Sequence, residues 1–142
     1  KTFSTGIKFA TSGGTAGTLV YYEDWATFAP GLVKSSGAGT LGAVSLAFAR
    51  YSRVGNNAIV EMRYTGINVT VGSVILVATL PYTAKQSAYF PIFASDIGTF
   101  QTGACETAGA TALLYIYASI ALTGFSVGTT SQFSLRVSYE VN

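Results

Sequence analysis

Hydrophobic and polar positions alternate most cleanly near the C-terminal end of the chain. From Phe133 to Val141 the odd positions are Phe133, Leu135, Val137, Tyr139 and Val141, and the even ones are Ser134, Arg136, Ser138 and Glu140. A period of two predicts a strand with one buried and one solvated face. Val60, Met62 and Tyr64 alternate in the same way with Glu61 and Arg63. Between Phe48 and Ile59 the chain reads as a strand, a tight turn at Gly55-Asn56-Asn57 and the start of a returning strand. Gly and Asn accept the positive φ that hairpin turns demand. The faces this hairpin is expected to bury are Val44, Leu46 and Phe48 before the turn and Val60, Met62 and Tyr64 after it.

Val74–Leu80 and Leu113–Ile120 are apolar on both faces. They are expected to lie centrally in a sandwich, or to pack their second face on another subunit, with Leu114 placed on that intersubunit face. Ala112–Leu122 alone has the length and composition of a short helix, but its β-branched and aromatic content favours strand. Leu19-Val20-Tyr21-Tyr22 is a further short strand candidate, and Pro30-Gly31 marks a turn. Short strands punctuated by Gly, Asn and Pro predict an all-β protein, an antiparallel β-sandwich of jelly-roll-like type. Residues 1–17 are rich in Gly, Ser and Thr and are expected to be a leader or linker to a preceding shaft, with 18–142 forming one head domain. The chain opens on Lys1 rather than Met, which predicts a piece of a longer protein.

Composition sharpens this picture. The 142 residues are 49% hydrophobic and only 10% charged, where ordinary soluble domains carry about 25% charged residues. Part of the surface is therefore expected either to be covered by copies of the same chain or to be clothed in Ser, Thr, Asn and Gly. A net charge of +2 on scattered Lys and Arg leaves no electrostatic footprint for nucleic acid. The longest apolar runs fall short of the roughly 20 residues needed to span a bilayer as a helix, so no membrane insertion is expected.

Catalytic chemistry is sparse. The chain has no His, which excludes a Ser-His-Asp triad and removes the usual base for Cys105, the sole cysteine; Cys105 reads as a small buried filler. No metal site or cofactor is expected. Gly37-Ala38-Gly39-Thr40-Leu41-Gly42 spells G-x-G-x-x-G with Glu61 downstream, but a dinucleotide fingerprint needs a strand before it and a helix after it. Six carboxylates are present, of which Asp96 and Glu106 could form a hydrolytic pair within or between subunits; solvated loop charges are the simpler reading. Tyr82, Tyr89, Phe90, Phe93 and Phe100 crowd a stretch rich in Gly, Ser, Thr and Gln. Aromatic faces can stack on sugar C–H surfaces while polar neighbours bond sugar hydroxyls, although core packing accounts for most such rings. The candidate ligand-binding residues are Tyr82, Lys85, Gln86, Tyr89, Asp96 and Gln101, with Thr83 and Ser87 beside them, because loops on a rigid sandwich carry variable binding function.

Four short elements also carry a resemblance. Tyr22-Glu23-Asp24-Trp25-Ala26-Thr27-Phe28-Ala29-Pro30 resembles the "YEEGTWTP" opening of C-terminal modules in tailed-phage fibres and tailspikes. Arg50-Tyr51-Ser52-Arg53-Val54-Gly55-Asn56 is similar to their "RYTKIGN" hairpin, Leu80-Pro81-Tyr82-Thr83-Ala84 to "LPFTA", and Ser138-Tyr139-Glu140-Val141 to "SYEV". The elements occur in order across residues 22–141, with Asp24 standing where Gly is usual. This resemblance implies a non-enzymatic homotrimeric head at the tip of a virion fibre or spike. Such a head attaches to a host-surface receptor, bacterial polysaccharide being the expected one. The alternatives are a trimerisation and capping module without a ligand, and an intersubunit depolymerase.

Overall fold

The computed structural model describes residues 7–10, 16–19 and 22–142. Strands β1 (Ile7–Ala10) and β2 (Ala16–Leu19) pair antiparallel with each other. These paired strands fall largely within the segment expected to be a linker; Ser12–Thr15, its most Gly-rich part, lies outside the described residues. The ten-stranded sheet contains β3 (Tyr22–Thr27), β4 (Leu32–Ser36), β5 (Thr40–Leu41), β6 (Ser45–Val54), β7 (Asn57–Val71), β8 (Ile75–Thr79), β9 (Ala88–Asp96), β10 (Thr99–Ala108), β11 (Leu113–Tyr117) and β12 (Gly128–Glu140). No helix occurs among the described residues, and every strand pair is antiparallel. The protein is an all-β, sandwich-like fold, as the alternation predicts.

The hydrogen-bonded order is β3-β6-β7-β12-β9-β10-β11-β8-β4, with β5 attached to β7. The ribbon doubles over at β12, which pairs with β7 along most of its length but with β9 only through Gln132–Ser134. One layer is therefore β3-β6-β7-β12 and the other β9-β10-β11-β8-β4. Their inward residues form a single core, including Val60, Met62 and Tyr64 of β7, Leu76 and Ala78 of β8, Leu114 and Ile116 of β11, and Phe133, Leu135 and Val137 of β12. Both segments that are apolar on two faces are strands β8 and β11, and the 119–122 stretch after β11 is a turn rather than helix. Leu114 faces this core and is fully buried within its own chain. The expected intersubunit placement of Leu114 is thus corrected: the strand's outward set is Leu113, Tyr115 and Tyr117, each only partly covered.

The β6–β7 hairpin closes on Val54 and Asn57 through Gly55 and Asn56. Positive φ falls on Gly55 alone of the two (φ 58°), the sign pattern of a type II′ turn. Val60, Met62 and Tyr64 are buried as expected, but Leu46 and Phe48 are 40% and 42% exposed. A bulge between Leu46 and Phe48 reverses the strand's phase, so Ala49 and Tyr51 face inward in place of Phe48.

The G-x-G-x-x-G run is the β4–β5 connection, with no helix after it. Gly39 donates its N–H to the Ser73 carbonyl at 2.9 Å. A Cβ there would stand 2.3 Å from the Val71 carbonyl oxygen. Close backbone approach, not phosphate binding, explains this glycine.

Candidate functional site

Four elements far apart in the chain, within residues 22–30, 50–56, 80–84 and 138–141, meet at one pole of the sandwich. Glu23 of β3 accepts hydrogen bonds from Tyr51 Oη of β6 at 2.6 Å and from Tyr82 Oη of the β8–β9 connection. The Arg53 guanidinium lies 4.6 Å from the Tyr82 ring centroid, and Tyr51 meets Tyr82 edge-on at 5.6 Å. Tyr139 of β12 donates to the Tyr82 carbonyl, Val141 N–H to the Asn56 carbonyl, and Ala84 bridges to Val141. These groups satisfy one another and tie β3 and β12, the first and last strands of the ten-stranded sheet, to the β8–β9 connection.

This arrangement redistributes the residues singled out from sequence. Tyr82 belongs to the polar clasp just described, and Lys85 beside it forms an ion pair with Glu140 at 2.5 Å. Gln86 is exposed, and its carbonyl accepts from Thr107 Oγ1. Tyr89 stands on the outer face of β9. Asp96, at the far end of β9, accepts from Ser126 N–H and Ser131 Oγ, so its carboxylate anchors the start of β12. Gln101 pairs with buried Ala94, on the inward-facing set of β10. Lys85 precedes the nine-residue strand β9 and Asp96 ends it, and the strand alone spans about 26 Å. The six residues thus do not form one site. Asp96 and Glu106 do not pair within one chain either, because Glu106 is opposite Tyr89 while Asp96 is opposite Thr99. Cys105 is buried in the core, and desolvation pushes its thiol up to about 12, which keeps it protonated and inert.

Two outer faces remain, and their chemistry differs. On the second layer, strand registry aligns Val33, Val77, Tyr115, Glu106 and Tyr89 across β4, β8, β11, β10 and β9. Tyr117, Ala104 and Pro91 make the next row. Ile120 and Leu122 from the turn after β11 join Tyr89, Pro91 and Ala104 around an apolar hollow of about 410 Å³. Glu106 is the one carboxylate in these rows, and its charge already has donors. Tyr117 Oη donates to Glu106 Oε2 at 3.3 Å, and a hydrogen bond to Glu106 is also the main cause of the raised Tyr89 pKa.

Burial, followed by the Glu106 charge, pushes the Tyr117 phenol up to about 12; burial does the same to Tyr139. A phenol whose pKa is higher in the folded than in the unfolded state contributes stability below about pH 10 and loses it as pH rises towards 12. Thermal stability is accordingly expected to fall between pH 10 and 12, with a late phenolate fraction in the absorbance titration. All nine tyrosines ionising together near their ordinary pKa, with no change in melting, would contradict this.

The first layer carries a polar face. Registry across β6, β7, β12 and β9 gives the row Phe48, Arg63, Ser134, Phe93. The adjacent row is Arg50, Glu61, Arg136. Glu61 is held by Arg50 at 2.6 Å and by Arg136 at 3.4 Å. Arg63 reaches Gln132 Oε1 at 3.3 Å, and Trp25 of β3 covers the Arg50 guanidinium at 4.6 Å. Beyond Ser134, β12 separates from β9 and opens a groove of about 510 Å³. Ile92 and Leu135 form its base, and Phe48, Pro91, Phe93, Ser134, Glu61 and Arg136 form its sides.

Loop composition drew attention away from this face. The available signal is the polar set of the alternating strands, Glu61 with Arg63 and Ser134 with Arg136, which reads as an ordinary solvated face until registry aligns it with two exposed phenyl rings. No protein-family model matches the chain, and no curated protein matches it.

Proposed function

We propose that this chain is the receptor-binding head module of a tailed-phage fibre or tailspike, assembled as a homotrimer. One observation carries the reading: the outer face of β4-β8-β11-β10-β9 is a continuous aromatic and aliphatic surface. Its one carboxylate, Glu106, is supplied with phenol donors. An apolar sheet face of this extent is a surface for association, and a second and third copy of the same chain supply a matching one. The ordered resemblance of residues 22–30, 50–56, 80–84 and 138–141 to phage modules supports the same reading. Convergence of these elements on one pole gives them a role in holding the head together. With the apolar face turned to sister copies, the row Phe48, Arg63, Ser134, Phe93 is left to meet the host surface, and three such sites gain avidity on a repetitive polymer.

Co-sedimentation with bacterial strains that differ in surface polysaccharide tests this function. Retention by a subset of strains is expected. A trimer retained by none overturns receptor binding and identifies a trimerisation and capping module.

A further inference from the structure

We infer that the groove between β9 and β12 takes a carboxylate-bearing saccharide, a uronic-acid unit of a surface polysaccharide. The inference rests on the receptor-binding reading above and specifies the ligand class of that face. Its first support is charge. Arg50, Arg63 and Arg136 share the face with one opposing carboxylate, Glu61, at the centre of the rows. Glu61 is largely covered, its side chain only 13% exposed, whereas Arg136 is 65% exposed. The carboxylate is therefore occupied internally while guanidinium edges remain open to solvent. Arg63 and Arg136 each engage one side-chain partner, and a guanidinium has five N–H donors, so each retains donors for a planar anion.

The second support is shape. Phe48 and Phe93 are 42% and 50% exposed, and they bracket Arg63 and Ser134 in a row four strands wide. Four strands place the two phenyl-bearing strands about 14 Å apart. The 510 Å³ groove is of small-ligand size. Phe48 and Phe93 suit the C–H face of a pyranose, Ser134 suits a hydroxyl, and Arg136, the arginine that lines the groove, suits the carboxylate, with Arg63 adding positive charge beside it.

The test is binding of the intact protein to an array of oligosaccharides containing glucuronate, galacturonate or mannuronate, beside their carboxyl-reduced neutral counterparts. Binding to at least one acidic member is expected, lost on carboxyl reduction and weakened by salt. Arg136→Gln should weaken it by about tenfold or more, and Arg63→Gln, beside the groove, by a smaller, salt-dependent factor, while native mass and melting temperature hold. Glu61 keeps Arg50 in the Arg136→Gln variant, so no buried charge is orphaned. Binding confined to neutral sugars, or unchanged in both variants, overturns the acidic ligand and leaves host attachment standing. Silence on every glycan, acidic and neutral, overturns the inference, and polysaccharide as the receptor falls with it. If the arginine variants lose melting temperature together with binding, these residues act in the fold and the inference fails.

Discussion

Val77→Asp is expected to convert the proposed trimer into a folded monomer. Val77 lies within the outer row, between Val33 on β4 and Tyr115 on β11, and its side chain makes no part of the inward core. In a single chain the new carboxylate would reach water. Between copies it would be buried without a partner, at a cost of roughly 3 kcal/mol or more per subunit. Leu114→Asp, on the neighbouring strand, should behave differently. Leu114 is fully enclosed by its own chain, so the substitution should prevent folding rather than dissociate subunits. Native mass together with melting temperature separates the two. Identical behaviour of the two variants would mean that the outer row is not an interface.

Phe133→Ala should remove a large share of the intrinsic stability while leaving the chain able to fold. Phe133 is fully buried where β12 bridges the two layers, pairing with both Tyr64 and Ala94. Its ring lies 5.4 Å from that of Tyr64 and 6.4 Å from that of Phe125. Truncating a buried Phe to Ala costs about 3–5 kcal/mol through lost transfer energy and the cavity left behind, a large share of the 5–15 kcal/mol that typical domains possess. Chemical denaturation of a monomeric background such as Val77→Asp should show a lower midpoint with an unchanged slope. A loss below about 1 kcal/mol would mean that the two layers do not depend on this ring.

The sequence is most legible where one strand face is buried and the other wet. The alternation of Phe133 to Val141 and of Val60 to Tyr64 predicts the inward set correctly, because a period of two leaves only one assignment. It misplaces Phe48, since a single bulged residue between Leu46 and Phe48 pairs Leu46 with inward Tyr64 but Phe48 with outward Arg63, and the residues themselves carry no mark of a bulge. Leu114 is misassigned for a related reason. In a segment apolar at every position, nothing local says which face meets its own core.

The candidate site was legible only in its parts. Tyr82 looks like an exposed loop aromatic, yet Glu23, Tyr51, Arg53 and Tyr139 converge on it from three strands. Long-range pairing of that kind has no signature within a window of ten residues. Arg63 and Ser134 lie 71 positions apart in the chain and opposite each other in the sheet, so the polar row exists only once registry is known.

Static light scattering on the purified protein tests the central claim most directly. A trimer gives a native mass three times the 14.8 kDa of the chain, stable on dilution, and that is the expected result. A single-chain mass that persists at high concentration would contradict it.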